Sequence, residues 1–580
     1  MTSTEKYSLW LTAECFDQAT KDELLSIKDD SKEIDERFYK DLEFGTGGLR
    51  GIMAAGTNRM NIYTIRKTSQ GIANYISKKG EDAKRQGVVI AYDPRHNSQS
   101  FAFEAAKVFA GNGIKAYVFD ELHPTPLLSF AVRYLKTAAG VVVTASHNPK
   151  EYNGYKVYGP DGSQLSVDDS ELALNEIDKI EDFSKIVFAD KEEAISSGMI
   201  EIIGENVDNA YIEAMKTLRV NPDIVTKVAD SLKIIYTPIH GSGNKLVRRL
   251  LKECGFKNVD IVKEQELPDP DFSTVKSPNP EDFNAFKIAI EMAKTSGADL
   301  ILGTDPDSDR LGVVVKIPSG EFIPLTGNQI GCILMEYLLS QRKINGTMPK
   351  NPFVIRSIVS SKMVDAIAKR QSVELVEVLT GFKFFGEQIK LQDEFGTRKY
   401  IFGFEESFGY LPGSFVRDKD AVASAMLFAE AAAYYKSRNM SVYDGLMEMY
   451  KNYGYYIEDS ASFTIEGKEG AEKISSAMTA LRSKAVPDFG DVKISLVRDL
   501  VKGTQYNPIS GETTPLSFSK SNVLYFETLD GSWFCIRPSG TEPKIKLYFG
   551  VVESTQDKAQ EKLKGLKTNA LAPVQKLLLG

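Results

Sequence analysis

Short apolar runs alternate with amphipathic segments over most of the chain. In its first part, the apolar, β-branched runs Val88–Tyr92, Ala116–Phe119 and Val141–Thr144 predict three buried strands. Between the first two, Phe101–Gly111 has the apolar spacing of a helix. Alternating strands and helices are typical of βαβ units with parallel strands. The pattern therefore predicts an α/β fold.

The same rhythm recurs twice further along the chain. The apolar runs that predict the second and third groups of strands are Leu232–Thr237, Val259–Lys263, Leu300–Gly303, Phe353–Ile358, Glu374–Leu379 and Tyr400–Phe404. A helix at Lys245–Cys254 is predicted within the second group. Three rounds of one unit indicate an internal repeat. We therefore expect three related βαβ-type domains with mixed sheets.

The last part of the chain has a different pattern. Its predicted strands and helices are Ser462–Ile465, Leu524–Glu527, Ile545–Phe549, Ala471–Arg482 and Asp557–Leu566. They predict a separate α+β domain, joined to the rest by a linker at Tyr453–Asp459. The predicted domains are 1–208, 209–325, 326–456 and 457–580.

The composition fits a large enzyme. At 580 residues, the length favours roughly four domains. A formal net charge of −8 argues against a nucleic-acid-binding surface. The four cysteines lack Cys-x-x-Cys spacing, which favours free thiols in a reducing compartment. The N-terminus has no apolar targeting core, and no apolar run reaches the roughly 18–20 residues of a membrane span. We therefore expect a cytoplasmic protein that binds neither nucleic acid nor membrane; its oligomeric state is not predicted.

Residues 138–159 form the most informative segment. The chain breaks just after the predicted strand Val141–Thr144, which leaves Ser146 and His147 at the strand end, where α/β folds place ligands. Lys156 follows ten residues after the serine. A hydroxyl, an imidazole and a cation together suggest a nucleophilic serine that handles an anion. Taken alone, the segment is equally compatible with a polar turn that carries a surface serine.

Asp305, Asp307 and Asp309 alternate with other residues between two apolar runs. In an extended loop, this spacing sends all three carboxylates to one side. Clustered carboxylates repel one another unless a hard cation lies among them, and all-oxygen ligation suits Mg²⁺, Ca²⁺ or Mn²⁺. An EF-hand loop is rejected because its glycine and glutamate positions hold Arg310 and Lys316. Arg310 suggests instead that a phosphate meets the metal; a solvated acidic turn is the alternative.

Two later segments carry weaker signals. Glu405 and Ser407 follow an aromatic strand and offer groups that hydrogen-bond a polyol, although an ordinary strand end would look the same. The second segment combines a planar cation, hydroxyl donors and accessible backbone amides, as a phosphate cradle requires: Arg537, Ser539, Gly540, Thr541 and Lys544. A basic surface turn is the alternative for this second segment.

Together, the four segments resemble the α-D-phosphohexomutase superfamily, specifically its phosphoglucomutase and phosphomannomutase members. The resemblance covers nearly the whole chain, in the family's order, and Thr144–Pro149 and Asp305–Arg310 are highly specific as a pair. The other matching segments are Gly45–Gly51, Thr380–Gly386, Gly403–Gly409, Val416–Asp420 and Arg537–Thr541. Residues Asn148–Tyr158 are most similar to the longer phosphoglucomutase branch, which includes phosphopentomutase-type enzymes.

The resemblance implies four domains around a central cleft and an intramolecular phosphotransferase. Ser146 would carry the phosphoryl group and share Mg²⁺ with the three aspartates, while Arg50 and Arg310 steady the transferring group. The residues implied in substrate binding are Arg310, Glu405, Ser407, Arg417 and the phosphate-loop residues Arg537, Ser539, Gly540, Thr541 and Lys544. The candidates for the general base are His147, Lys156 and Lys383, since a desolvated lysine can have a lowered pKa.

The implied reaction interconverts glucose 1-phosphate and glucose 6-phosphate, with glucose 1,6-bisphosphate as the activating intermediate. Mannose phosphate, pentose phosphate or an amino-sugar phosphate would keep the same chemistry, and the Glu-Glu-Ser segment favours glucose over amino sugars by resemblance only. A third hypothesis is a catalytically silent sugar-phosphate-binding or interaction protein. Such a protein would be expected to lack the serine or an aspartate, and all four residues are present.

Overall fold

The computed structural model describes residues 1–45, 47–465, 467–539 and 544–579, apart from the side chains of residues 467–469, 471 and 579. The chain divides into two compact units. The first consists of Met1–Leu325, Phe382–Phe402 and Ser407–Ser441, and the second of Thr326–Gly381, Gly403–Glu406 and Val442–Gly580. Within the described ranges, no helix combines the length and the apolarity that a membrane crossing requires.

The first part of the chain forms a six-stranded mixed sheet. Its strands are β1 (Gly48–Ile52), β2 (Val88–Tyr92), β3 (Ala116–Phe119), β4 (Ala139–Val143), β5 (Tyr152–Tyr158) and β6 (Ile200–Ile203). Its helices are α1 (Ser3–Thr12), α2 (Gln18–Ser26), α3 (Ser31–Phe38), α4 (Ile62–Lys78), α5 (Glu81–Gln86), α6 (Ser98–Gly111), α7 (Thr125–Leu135), α8 (Val167–Asp178) and α9 (Lys191–Ser196). The strand order is β1-β5-β4-β2-β3-β6, with β1 and β5 antiparallel to their neighbours. Strands β2 and β4 are buried at every position, which explains their uninterrupted apolar sequences.

A second mixed sheet follows, in the order β11-β10-β9-β7-β8. Its strands are β7 (Lys233–Thr237), β8 (Asn258–Ile261), β9 (Leu300–Thr304), β10 (Leu311–Lys316) and β11 (Phe322–Pro324). The helices of this region are α10 (Glu205–Lys216), α11 (Pro222–Val228), α12 (Gly243–Glu253) and α13 (Lys287–Ser296). β7 runs parallel to β8 and β9, whereas β10 is antiparallel to β9.

The third sheet has the order β13-β12-β14-β15. Its strands are β12 (Pro352–Ser357), β13 (Glu374–Val378), β14 (Lys399–Glu405) and β15 (Gly409–Pro412). The helices of this region are α14 (Gly327–Ile344), α15 (Met363–Gln371), α16 (Phe382–Phe395), α17 (Ala421–Ser437) and α18 (Val442–Tyr453). β12 and β13 run parallel.

The three sheets share one topology, which confirms the predicted repeat. In each, the first strand of the unit lies between the second and the third, and the fourth lies beyond the third: β3-β2-β4-β5, β8-β7-β9-β10 and β13-β12-β14-β15. A candidate site residue lies at or just past the end of the third strand each time. Ser146 lies just past β4, Asp305 just past β9, and Glu405 ends β14. Three of the four candidate segments therefore occupy equivalent positions of one repeated unit.

The C-terminal region is an antiparallel α+β domain, as predicted. Its seven strands are β16 (Tyr455–Thr464), β17 (Ile494–Asp499), β18 (Thr504–Asn507), β19 (Glu512–Pro515), β20 (Leu524–Thr528), β21 (Trp533–Pro538) and β22 (Lys544–Glu553). They follow the order β16-β22-β21-β20-β17-β18-β19. Helices α19 (Gly467–Arg482) and α20 (Gln556–Leu579) contribute buried apolar residues to the core on this sheet.

Two predictions about this region were wrong in detail. The segment Tyr453–Asp459 is regular structure rather than a linker, because α18 ends at Tyr453 and β16 begins at Tyr455; only Gly454, with a φ of 103°, separates them. The last helix continues to Leu579 instead of ending at Leu566, and it passes through Pro573. It continues because Ala570, Val574 and Leu578 stay on its buried face.

Glu458 on β16 is a half-buried residue of the second unit. Asn328 at the start of α14 donates a hydrogen bond of 3.3 Å to its Oε2. Its Oε1 is buried and has no hydrogen-bond partner in the described part of the chain. Burial raises the pKa of Glu458 from its ordinary value of 4.5 to about 7. The folded protein therefore favours the protonated form of this side chain.

The raised pKa of Glu458 predicts a stability that falls with increasing pH. Between about pH 4.5 and pH 7 the folded state holds a proton that the unfolded chain has released, so the contribution of Glu458 is complete below this range and is lost above it, by up to about 3 kcal/mol. Glu458→Gln should remove this dependence while keeping an acceptor for Asn328. The melting temperature of the variant, relative to that of the wild type, should be higher at pH 8 than at pH 5. An unchanged difference between the two proteins would contradict the assignment.

Candidate active site

Ser146 projects from the end of β4 toward the aspartate segment. Its side chain is buried, and its Oγ donates a hydrogen bond of 2.8 Å to Asp305 Oδ2. The Nδ1 atom of His147 lies 3.2 Å from the same Oγ. Ser146 has a φ of 53°, a left-handed conformation that costs a residue with a Cβ on the order of 1–3 kcal/mol. The surrounding hydrogen bonds must therefore hold the serine in place.

The aspartate segment is a tight turn and not the extended loop that its spacing predicted. The Asp305 carbonyl accepts a 2.9 Å hydrogen bond from the Ser308 amide, with Pro306 at the second position of the turn, which proline favours. Ser308 has a left-handed φ of 54°. The predicted clustering is nevertheless present, because one oxygen of each of Asp305, Asp307 and Asp309 lies within 4.8 Å of the others. All three side chains are buried.

The hydrogen bonds of these carboxylates leave two oxygens available. Asp305 Oδ1 accepts the amides of Asp309 and Arg310, at 3.1 and 3.0 Å. Asp307 Oδ2 accepts the Thr125 hydroxyl, at 2.9 Å. In contrast, Asp307 Oδ1 and Asp309 Oδ1 are buried without a hydrogen-bond partner among the described residues. Buried carboxylate oxygens in this condition fit a hard divalent cation.

Two lysines supply positive charge to the aspartates. Lys156 on β5 lies 3.0 Å from Asp307 and 3.6 Å from Asp309. Lys419 lies 3.1 Å from Asp309 and 3.0 Å from Asp418. The lysine predicted from the sequence thus reaches the aspartates. Lys419 was missed, although it lies within the family-matching segment Val416–Asp420, from which only Arg417 was chosen.

The carboxyl groups respond unequally to this environment. Burial, reinforced by the charges of Asp307 and Asp309, holds the pKa of Asp305 well above its usual range. Burial acts in the same direction on Asp307, but Lys156 and Lys419 outweigh it and hold the pKa of Asp307 well below its usual range. The two lysines therefore do not offset the burial of Asp305, whose charged form a bound cation would favour.

Arg50, Arg310 and His147 lie in or next to residues 144–152, the serine segment. Arg50 donates a hydrogen bond of 3.1 Å from Nη1 to Asn148 Oδ1. Arg310 pairs with Glu281, and its Nε lies 3.9 Å from Asp309 Oδ1. Burial and the charges of Arg310 and Arg50 hold the pKa of His147 well below its usual range. The imidazole is therefore neutral near pH 7.

Arg417 and Lys383 belong to the first unit, and among the described residues their side chains contact residues within 384–414 and not the aspartates or Ser146. The buried guanidinium of Arg417 contacts Asp393 and the Ser414 carbonyl. Burial and the neighbouring charge of Arg133 lower the pKa of Arg417 to about 10. Burial also lowers the pKa of Lys383, whose Nζ lies 5.0 Å from the centre of the Phe384 ring.

The remaining predicted residues lie in the region of the third sheet and in the C-terminal region. Glu405, at the end of β14, accepts a hydrogen bond from the Gly381 amide; Ser407, in the first unit, is partly buried. Arg537 lies on β21, opposite Lys546 of β22. The Ser539 amide donates a 2.7 Å hydrogen bond to the Lys544 carbonyl, at the ends of these two strands. Gly540 and Thr541, also predicted to bind phosphate, lie outside the described residues.

Thr125 is a site neighbour that sequence reasoning missed. It begins α7, and its amide donates a 2.8 Å hydrogen bond to the Asp307 carbonyl in addition to the contact of its hydroxyl with the carboxylate. The sequence carries a helix-start signal there, Pro124-Thr-Pro126, but nothing that relates it to an aspartate 182 residues away.

Comparison with known proteins agrees, over most of the chain, with the family resemblance of the sequence. Domains I, II and III and the C-terminal domain of the phosphoglucomutase/phosphomannomutase models match residues 41–183, 209–317, 326–453 and 494–564. The phosphoglucomutase of Staphylococcus aureus strain N315 is 38% identical over 531 residues, which cover 92% of this chain and 93% of the relative. That of the bovine strain RF122 is 38% identical over 529 residues, 91% of this chain and 93% of the relative.

Solved structures show the same fold at lower sequence identity. The exocytosis-sensitive phosphoprotein pp63/parafusin, a phosphoglucomutase from Paramecium, superposes in its open form with a TM-score of 0.66 and 17% identity, over 93% of this chain and 96% of that chain. A phosphoglucomutase/phosphomannomutase family protein from Burkholderia thailandensis gives a TM-score of 0.64 and 17% identity, over 92% and 97% of the two chains. With four domain models matched in order and relatives aligned over nine-tenths of its length, this chain belongs to the phosphoglucomutase/phosphomannomutase family.

Proposed function

We propose that this protein is a phosphoglucomutase that interconverts glucose 1-phosphate and glucose 6-phosphate. The observation that carries the proposal is the buried Ser146 hydroxyl, 2.8 Å from the first of three clustered aspartates. A hydroxyl beside a candidate cation site is suited to accept and release a phosphoryl group. The curated relatives of Staphylococcus aureus, 38% identical to this chain, carry the name of this activity.

The proposed reaction begins with a phosphoryl group on Ser146. The free hydroxyl of the hexose monophosphate attacks this phosphorus, the bond to serine Oγ breaks, and glucose 1,6-bisphosphate forms. The bisphosphate then turns over, and the serine hydroxyl attacks its other phosphate, which restores the phosphoserine and releases the isomeric monophosphate. The number of phosphoryl groups is conserved in each half-reaction.

Asp305, Asp307 and Asp309, with the phosphoserine, would hold Mg²⁺. When bound, the cation would neutralise charge on the phosphate oxygens during in-line transfer. Among the protein groups, Arg50 and Arg310 would steady the transferring group, and the neutral His147 would orient the Ser146 side chain.

The proton of the attacking sugar hydroxyl has three candidate acceptors, His147, Lys156 and Lys383. The pKa of Lys383, lowered by burial, has moved in the direction that a general base requires. Glu405, Ser407 and Arg417 would bind the sugar phosphate, and Arg537, Ser539, Gly540, Thr541 and Lys544 would hold the phosphate that is not being transferred.

Mannose phosphate and pentose phosphate are the alternative substrates, since the phosphoryl-transfer chemistry would be the same. The name of the curated relatives favours glucose. Initial rates with glucose 1-phosphate, mannose 1-phosphate and ribose 1-phosphate at matched concentrations would rank the three. The highest rate with glucose 1-phosphate would support the proposal. A rate at least about tenfold higher with another sugar phosphate would identify that sugar phosphate as the substrate instead.

Ser146→Ala tests the phosphoryl carrier. Turnover should fall by roughly a thousandfold or more, because removal of a covalent nucleophile leaves only binding contributions. Intact-mass measurement should detect a phosphate on the wild type, mapped to Ser146, and none on the variant. Ser69→Ala is the matched control, since Ser69 is also buried in the same region and its hydroxyl lies 2.9 Å from the Tyr155 hydroxyl, not beside the aspartates. Substantial turnover of Ser146→Ala would refute the mechanism.

Asp307→Asn tests the metal site. The substitution removes one of the three charges and should weaken Mg²⁺ and Mn²⁺ binding by at least about tenfold, since even the outer partners of metal ligands contribute that much. Calorimetric titration with Mg²⁺ and the paramagnetic signal of bound Mn²⁺ measure this without an activity assay. Asp260→Asn, at an exposed position of the same sheet, should bind like the wild type. Wild-type activity that survives exhaustive chelation would make the aspartate turn structural.

Arg537→Ala tests the phosphate loop. A lost charge-assisted contact of about 1.5–3 kcal/mol should lower kcat/KM for glucose 1-phosphate by roughly ten- to hundredfold. Slow loading of Ser146 by acetyl phosphate, which has no second phosphate, should be nearly unaffected. Lys520→Ala, at an exposed position of the C-terminal region, controls for the loss of a positive charge. Equal losses in loading and in the mutase reaction would place Arg537 in the chemistry or the fold instead.

A further inference from the structure

A fully buried ion pair lies directly beneath the serine segment. Asp93 follows β2, and its Oδ2 lies 3.1 Å from Nε of Arg95; neither side chain has measurable exposure. Burial raises the pKa of Asp93 and lowers that of Arg95, so desolvation acts against both charges. A buried pair is weak evidence for stability by itself, and the hydrogen bonds of its two members indicate what else it does.

The Arg95 guanidinium binds four carbonyl oxygens of the serine segment. Nη1 donates to the carbonyls of Pro149 at 2.8 Å and Tyr152 at 3.1 Å. Nη2 donates to the carbonyls of Asn148, at 2.6 Å, and of Ser146 itself. The carbonyls of Ser146, Asn148 and Pro149 lie in the irregular connection between β4 and β5, and Tyr152 begins β5. Arg95 therefore holds the backbone at the serine and over the residues that follow it, up to the start of β5.

Asp93 holds the same segment through a second chain of hydrogen bonds. Its Oδ2 accepts the Thr144 hydroxyl at 2.7 Å, and Thr144 Oγ1 in turn accepts the Ser146 amide at 2.8 Å. Its Oδ1 accepts the Arg95 amide at 3.0 Å and the Ser98 hydroxyl at 2.7 Å. The amide and the carbonyl of Ser146 are thus both tied to one ion pair.

The pair is covered from another part of the chain. The ring of Phe272 lies 5.1 Å from the Arg95 guanidinium carbon, and the phenylalanine is only 2% exposed. Next to it, Asp271 pairs with Lys150 of the serine segment at 3.0 Å. Removal from water strengthens the hydrogen bonds of the guanidinium beneath the ring. A lysine could not replace it, because a compact ammonium has three donors and no planar fork that reaches four carbonyls.

We propose that Arg95, braced by Asp93 and Thr144, is a positioning residue for phosphoryl transfer. It does not touch the Ser146 hydroxyl and acts through the backbone, which it holds in the left-handed conformation that directs this hydroxyl to Asp305. In-line transfer tolerates little misplacement, since an error of about 1 Å can cost a hundredfold in rate. This inference rests on the proposed function, because it assigns Arg95 a part in that reaction.

The first test is Arg95→Lys, which keeps the charge and removes the fork. We expect kcat for glucose 1-phosphate to fall by about ten- to hundredfold, while KM changes by less than about threefold. The ³¹P resonance of the phosphorylated serine should shift or broaden, since the segment loses its fixed conformation. Arg66→Lys is the matched control in the same domain, because Arg66 is also largely buried but contacts Glu104 and Phe188 instead. It should retain the wild-type kcat and resonance.

Thr144→Val and Thr144→Ser provide a second, nearly isosteric pair, which serves if Arg95→Lys does not fold. The valine loses the hydroxyl between Asp93 and the Ser146 amide and should reproduce the fall in kcat, whereas the serine keeps this hydroxyl and should restore most of it. A folded Arg95→Lys or Thr144→Val protein with kcat within threefold of the wild type would overturn the proposal. A rise in KM of about ten- to hundredfold without a change in kcat would also overturn it, since that result would indicate a role in substrate binding.

Failure of the inference can be distinguished from failure of the proposed function. If the wild type neither carries phosphate on Ser146 nor turns over any sugar phosphate, the function itself is wrong. If the wild type is active and phosphorylated and the variants match it, only the role of Arg95 is wrong.

Discussion

Three carboxylates buried side by side cannot all stay ionised without nearby positive charge, and the architecture around Ser146 follows from this constraint. Lys156 reaches the aspartates from β5 and Lys419 from the segment before α17, so two separate parts of the chain converge on one turn. Thr125 holds the same turn from the start of α7. The electrostatic demand of the aspartates thus links elements that are far apart in the sequence.

The repeated topology explains why the chemical groups lie at strand ends. Each of the three α/β sheets leaves a loop after its third strand, and such loops beyond the strand ends are where open α/β sheets present side chains to ligands. One loop carries a hydroxyl, the next carboxylates, and the third a glutamate. One repeated backbone arrangement therefore presents a hydroxyl in one unit and carboxylates in the other two.

Much of the fold could be predicted because its central strands are buried on both faces. β2, β4 and β9 are continuous apolar runs, and their predicted bounds were correct to within two residues. β5 was not predicted, because its Asn153-Gly154 pair resembles a turn. The glycine has a different role here. A Cβ at Gly154 would lie 2.5 Å from the Thr144 carbonyl, so only glycine allows β5 to approach the end of β4 this closely. The three N-terminal helices were likewise not predicted.

Of the candidate site, the sequence could identify groups with distinctive chemistry but not those that support them. Ser146 and the aspartates stood out through their spacing. Arg95 and Thr125 did not, since an arginine or a threonine after a strand has no meaning until its partners are known, and those partners are backbone carbonyls or residues far along the chain.

The two lysines beside the aspartates have a consequence for the link between metal binding and folding. Small zinc domains remain unfolded until their metal arrives, because nothing else in the chain satisfies the ligands. Here Lys156 and Lys419 already lie 3.0 and 3.1 Å from the aspartates, so a cation at this turn would not be the only positive charge that holds its carboxylates together. A cation at this site would then exchange with the solvent while the protein stays folded, and its occupancy would follow the free metal concentration.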